Sequence, residues 1–147
     1  MQAKTGGYPR YAELHCVSNF SFLRGASHPE ELVKKAHRLG YTALSITDEC
    51  SFAGIVRAHV AAKKIGLQLI IGTEIQLIDG LRLVLLAPNA AAYMEISSLI
   101  TVGRRRCEKG KYRLTRDDLG KNQANAFVLW LPGAQANDRD SIQWLVR

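Results

Sequence analysis

Three apolar runs, each delivering an ionisable residue at or near its end, constrain this chain more than any other feature. The first covers roughly Ala12 to Val17 and carries His15; the second covers Ala43 to Thr47 and is followed by Asp48. The third opens at Leu69 to Ile71 and extends to Glu74. Short apolar runs of this kind read as buried strands. Helix signals separate them. Ser27 is placed as an N-cap, Pro29 lies in the first turn, Glu30 can close a capping box, and Gly40 marks the end. That helix puts Leu32, Val33, Ala36 and Leu39 on one face, and a second helix runs from about Phe52 to Lys64 before Gly66. Strands alternating with helices specify an α/β domain with a mainly parallel sheet, because parallel neighbours need a crossover between them. Sites in such folds gather at the C-terminal ends of the strands. His15, Asp48 and Glu74 fall there.

The remaining segments extend the pattern. Asp79-Gly80 is a turn signal, so Ile75–Ile78 and Leu81–Leu86 are expected to pair as a hairpin, within a strand that continues to Ala87. Asn89 caps a helix from Ala90 to about Gly103 with Tyr93, Ile96, Leu99 and Ile100 as its buried stripe. A basic linker follows, with Arg104, Arg105, Arg106, Lys109, Lys111 and Arg113 inside ten residues. Thr115 caps a short helix over Leu114–Leu119, and Phe127–Leu131 reads as a further buried strand before Pro132-Gly133. Residues 1–10 read as a loose leader, and 11–147 as one domain portion. An amphipathic segment with Ile142, Leu145 and Val146 is still running when the sequence stops, as expected of a piece of a longer chain.

Composition narrows the class. With 47% hydrophobic and 22% charged residues in 147, the chain can bury a core without disulfides. Cys16, Cys50 and Cys107 form no closely spaced pair and are odd in number, which fits a reducing cytosol. No apolar run approaches the roughly 20 residues of a membrane span, and the first ten residues have no signal-peptide core. A cytoplasmic protein is expected. Its formal charge of +7 favours an acidic partner, with nucleic acid the commonest.

A histidine with two carboxylates can hold a divalent cation that polarises a phosphate or activates a water. Each residue also has a plainer reading: His15 as a satisfied strand-end imidazole, Asp48 as the cap of the next helix, Glu74 as a turn carboxylate. Cys16 and Cys50 lie next to His15 and Glu49, so a site rebuilt from Cys16, Cys50, His15 and Asp48 is an alternative, against small buried thiols filling strand ends. The basic linker can contact a DNA backbone or simply be a solvated loop that complements a helix C-terminus. Tyr112 is its one aromatic residue, so base stacking is not indicated.

Three segments resemble a known family. Leu14–Ser27, Leu44–Gly54 and Ile70–Glu74 are similar to the opening motifs of the polymerase-and-histidinol-phosphatase (PHP) domain, in the version at the N-terminus of bacterial C-family DNA polymerases, and most of all its error-prone branch. Leu85–Tyr93, Leu99–Thr101 and Val128–Gly133 extend the likeness, which runs from about residue 11 to 135. The resemblance implies a distorted TIM-like barrel of mainly parallel strands, here roughly its first half, with a metal cluster at the strand ends. The family's first motif is His-x-His, whereas this chain has His15-Cys16-Val17; its second is Asp-His, whereas this chain has Asp48-Glu49. Glu74 matches, and no histidine follows His59. The implied ligands His15, Asp48 and Glu74 are therefore vestigial, and no cofactor is expected, with zinc or manganese as the alternative. The implied function is a mainly structural domain of an error-prone DNA polymerase in damage tolerance. The alternatives are a metal-dependent phosphoesterase or 3′–5′ exonuclease, and a basic DNA-binding module. Implied partners are DNA, the rest of the polymerase chain, and a second copy of the chain.

Overall fold

The computed structural model describes residues 10–121, 125–133 and 138–145. The leader, apart from Arg10, and Val146 of the expected amphipathic segment lie outside the described residues. Five strands form one sheet in sequence order: β1 (Ala12–Glu13), β2 (Ala43–Ile46), β3 (Gln68–Gln76), β4 (Arg82–Ala87) and β5 (Phe127–Leu131). Helices α1 (Pro29–Arg38) and α2 (Ile55–Ile65) are the crossovers of two βαβ units, so β1, β2 and β3 run parallel, with Ala12 beside Ala43 and Leu44 beside Leu69. The sheet then turns mixed. Gly80, at a φ of 89°, closes the expected hairpin, and β4 and β5 each run antiparallel to the strand before.

Strand alternation decides which residues meet the helices. Leu44, Ile46 and Leu67 pack with Val33 and Ala36 of α1 and with Ile55, Ala58 and Ala62 of α2. Farther along, Ile75, Leu83 and Leu85 pack on Ile96 and Leu99 of α3 (Ala90–Arg105), with Leu114 and Leu119 completing that cluster. Leu119 belongs to α4 (Arg116–Lys121), and α5 (Asp138–Leu145) sets Trp144 and Leu145 against the same cluster.

Several expectations shift. The ladder of β1 is two residues long because the extended chain beyond it is tied differently: the Thr47 hydroxyl accepts from the Cys16 N–H at 3.0 Å, and the Thr47 N–H donates to the Cys16 carbonyl at 2.8 Å. The α1 cap is His28 rather than Ser27, since Pro29 fixes the first helical residue; the Glu31 carboxylate, not Glu30, accepts from the His28 N–H at 2.8 Å. α2 starts at Ile55, behind Gly54. Asn89 caps α3 as expected, accepting from the Ala92 N–H at 3.0 Å. Tyr93 is half-exposed and stacks on Phe52 instead of entering the core. β5 forms, but among the described residues it has one neighbouring strand, and Phe127 stays 64% exposed.

Candidate functional site

The loop between β1 and α1 wraps the end of β2. Asp48 is 1% exposed, and its carboxylate is fully engaged. One oxygen accepts from the Ser18 N–H and the Ser21 hydroxyl at 2.7 Å each, and the other accepts from the Ser18 hydroxyl at 2.7 Å. Asp48 therefore anchors the loop and caps no helix. The loop is closed tightly: the N–H groups of Arg24 and Gly25 both donate to the Ser21 carbonyl at 3.0 Å. A Cβ at Gly25 would lie 2.1 Å from the Ser18 carbonyl oxygen, so only glycine fits. At the tip, Leu23 adopts a left-handed φ of 60° and, with Phe22, points into solvent.

Glu74 is the second buried carboxylate, with its side chain 3% exposed. One oxygen accepts from His15 Nε2 at 2.7 Å and from Arg24 at 2.9 Å; the other accepts from Arg82 at 2.9 Å. The register explains Arg82. Glu74 is opposite Val84 and Gln76 opposite Arg82, so Arg82 is the diagonal neighbour of Glu74 on the same face of the hairpin. Burial alone would push the Glu74 carboxyl up, but the hydrogen bonds from His15, Arg24 and Arg82 outweigh it and hold the group well below the usual carboxylate range. Arg24 also reaches Glu49 at 2.9 Å, and Glu49 accepts from the Tyr112 hydroxyl at 3.1 Å. The hydrogen bond to Glu74 is the largest reason that Arg24 holds its proton even more firmly than a free arginine.

Of the three expected ligands, the structure brings His15 and Glu74 together and commits Asp48 to the serines. Among the described residues no group of three or more His, Cys, Asp and Glu side chains is placed to hold a metal ion. A divalent cation at Glu74 would face two guanidiniums already bonded to both carboxylate oxygens. Cys16 and Cys50 are both free, and burial pushes each thiol up to about 11, so without a bound cation both stay protonated near neutrality. Among the described residues, the Glu74 oxygens that a cation would need are already taken by His15, Arg24 and Arg82.

The basic segment divides in two. Arg104 lies over the Tyr112 ring and donates to the carbonyls of Cys50 at 3.1 Å and Glu49 at 2.9 Å. Arg106 grips the buried Asp118 with two bonds of 2.6 and 2.9 Å, and Asp118 also accepts from the Thr115 N–H and hydroxyl. Arg105, Lys109, Lys111 and Arg113 are exposed, with Lys111 3.5 Å from Glu108. Arg24 and Arg82 are the functional side chains that reading the sequence missed. The parity of the hairpin would have found Arg82; Arg24 is set by a loop whose shape has no short-range signature.

Residues 13–134 match the PHP domain family. The chain is 56% identical to an error-prone DNA polymerase of Dechloromonas aromatica over 94% of its own length and 14% of that protein. It is 54% identical to an error-prone DNA polymerase of Methylococcus capsulatus, covering 93% of the chain and 13% of the relative. It thus spans about one seventh of these curated relatives. Among solved structures, a protein from Bifidobacterium adolescentis described as a metal-dependent phosphoesterase matches with a TM-score of 0.54 and 30% identity over 65% of this chain and 34% of that one. A PHP-like protein from Bacteroides vulgatus matches in fold alone, with a TM-score of 0.56 at 21% identity over 80% of this chain and 33% of that one. The half-barrel sheet, its strand-end rim and the match over residues 13–134 make this chain a member of the PHP domain family.

Proposed function

We propose that this chain is the PHP module of an error-prone DNA polymerase and that its role there is structural, with the polymerase body and DNA as partners and the cytoplasm as its compartment. The observation that carries this is the pairing of both Glu74 oxygens with Arg24, Arg82 and His15: two guanidiniums and an imidazole fill the place where a hydrolase would need cations. An apolar groove of about 570 Å³ lined by Leu14, Ile70, Leu86, Phe127 and Leu129 further supports a module that packs on a larger body. No described helix is long and apolar enough to cross a membrane. The test is hydrolysis. With manganese or zinc added, the chain is expected to cleave neither a phosphomonoester nor 3′-labelled DNA faster than its His15→Ala variant. Turnover that disappears in that variant would select the phosphoesterase reading instead.

A second reading rests on the exposed half of the basic segment. Arg105, Lys109, Lys111 and Arg113 present four cations to solvent, suited to a phosphate backbone without base recognition. Changing these four to alanine is expected to weaken binding to any DNA sequence. It should also flatten the log–log salt dependence by about 0.9 for each phosphate that is no longer neutralised. An unchanged slope would show that DNA does not bind this surface.

A further inference from the structure

The outer side of the crossover helices carries a groove that the site described above does not use. It measures about 490 Å³ and lies between α1 and α2. Its floor is aliphatic, with Val56, Val60, Ala61 and Ile65 forming one stripe along α2. Val56 is 72% exposed and Val60 48%, although they sit one turn apart, where a solvent-facing helix ordinarily places polar side chains. Lys34 of α1 and Lys64 of α2 line the groove, and neither has an acidic partner among the described salt bridges, while Arg57 is held by Glu30. The wider surface has the same sign: α1 and α2 together hold six lysines and arginines against two glutamates, a net +4 of the chain's +7.

We propose that this groove is the docking site for an acidic amphipathic helix of a partner protein. An aliphatic stripe between two helices matches the apolar face of a third helix, which would anchor through side chains at i, i+3 or i+4 and i+7. The stripe from Val56 to Ile65 extends about 14 Å at 1.5 Å per residue, enough to seat between two and three turns. Glutamates or aspartates flanking that face would meet Lys34 and Lys64. This complementarity selects the partner's sign and speeds encounter more than it adds raw affinity. Nucleic acid fits the groove poorly. The lining offers no aromatic side chain for a base, and its single arginine is already paired with Glu30.

The test uses the 147-residue chain and two fluorescein-labelled designed helices, each about four turns long with the same leucine face. One carries glutamates on its flanks and the other lysines. The acidic probe is expected to give saturable anisotropy, and the basic probe none. Val60→Asp, at an exposed position that leaves the core intact, is expected to weaken the acidic probe about tenfold or more, and Val56→Asp to act likewise. The pair Lys34→Glu and Lys64→Glu is expected to reverse the preference between probes. Circular dichroism and melting confirm that each variant is folded. Equal binding of both probes overturns the proposal, as does acidic-probe binding indifferent to both valine variants. So does competition by single-stranded DNA for the same surface, or concentration-dependent dimerisation that Val60→Asp abolishes, which would make a second copy the occupant.

Discussion

Replacing Glu74 by glutamine is expected to lower the folding stability by about 3 kcal/mol at neutral pH, because it leaves two guanidiniums facing a neutral amide. Breaking a buried ion pair by removing one partner ordinarily costs about 3–5 kcal/mol. The low end applies because the side chains of Arg24 and Arg82 remain 34% and 41% exposed and are partly screened by solvent. The pH dependence has a definite sign. The Glu74 carboxyl is held below its ordinary range in the folded state, so its charge stabilises the fold above the unfolded-state pKa of about 4.3. That contribution is lost as pH falls below this value toward the folded-state pKa. Urea unfolding at a series of pH values should show a full difference between parent and Glu74→Gln at pH 7, narrowing below about pH 4. A pH-independent difference would mean that the cluster stabilises by packing and not by charge.

Asp48→Ala is expected to be comparably severe and to act on a different segment. Its removal strands the Ser18 N–H and the hydroxyls of Ser18 and Ser21 in a buried site. Each unsatisfied group costs about 1–3 kcal/mol, with some relief where water enters, so a total of about 3 kcal/mol is expected. The loop over residues 18–27 should lose its order before the rest of the sheet does. Hydrogen exchange provides the check: the Arg24 and Gly25 amides, which donate to Ser21, should exchange faster in Asp48→Ala while β3 amides keep their protection. Uniform acceleration throughout the chain would show that Asp48 supports the whole fold and not the loop. The two buried carboxylates, one bound to hydroxyls and one to guanidiniums, thus stabilise the rim by separate chemistries.

The strand–helix alternation was legible because it rests on side-chain periodicity, which is local. Gly66, Asn89 and Asp79-Gly80 each punctuate the chain through a backbone requirement that one or two residues satisfy, and the helices and hairpin they delimit lie as expected. The α1 cap moved by one residue because both Ser27 and His28 precede Pro29 at plausible offsets, and only three-dimensional context separates them. The apolar content of β5 predicts a buried strand, but strand burial depends on neighbours, and among the described residues it has one. The site was half legible. His15, Asp48 and Glu74 could be placed at the strand ends from pattern alone, yet what they do there depends on Ser18, Ser21, Arg24 and Arg82. Arg104 and Arg106 looked like surface cations for the same reason: charge is visible in a sequence, and its partner is not.

Arginine and histidine side chains thus occupy both oxygens of the buried Glu74 carboxylate at the strand-end rim. Thermal melting of the chelator-treated chain, with zinc or manganese titrated back and the heat of binding followed in parallel, tests this occupancy most directly. No saturable heat and an unchanged midpoint are expected at metal concentrations that do not precipitate the protein. Stoichiometric binding that raises the midpoint, and that is lost in both His15→Ala and Glu74→Gln, would contradict it.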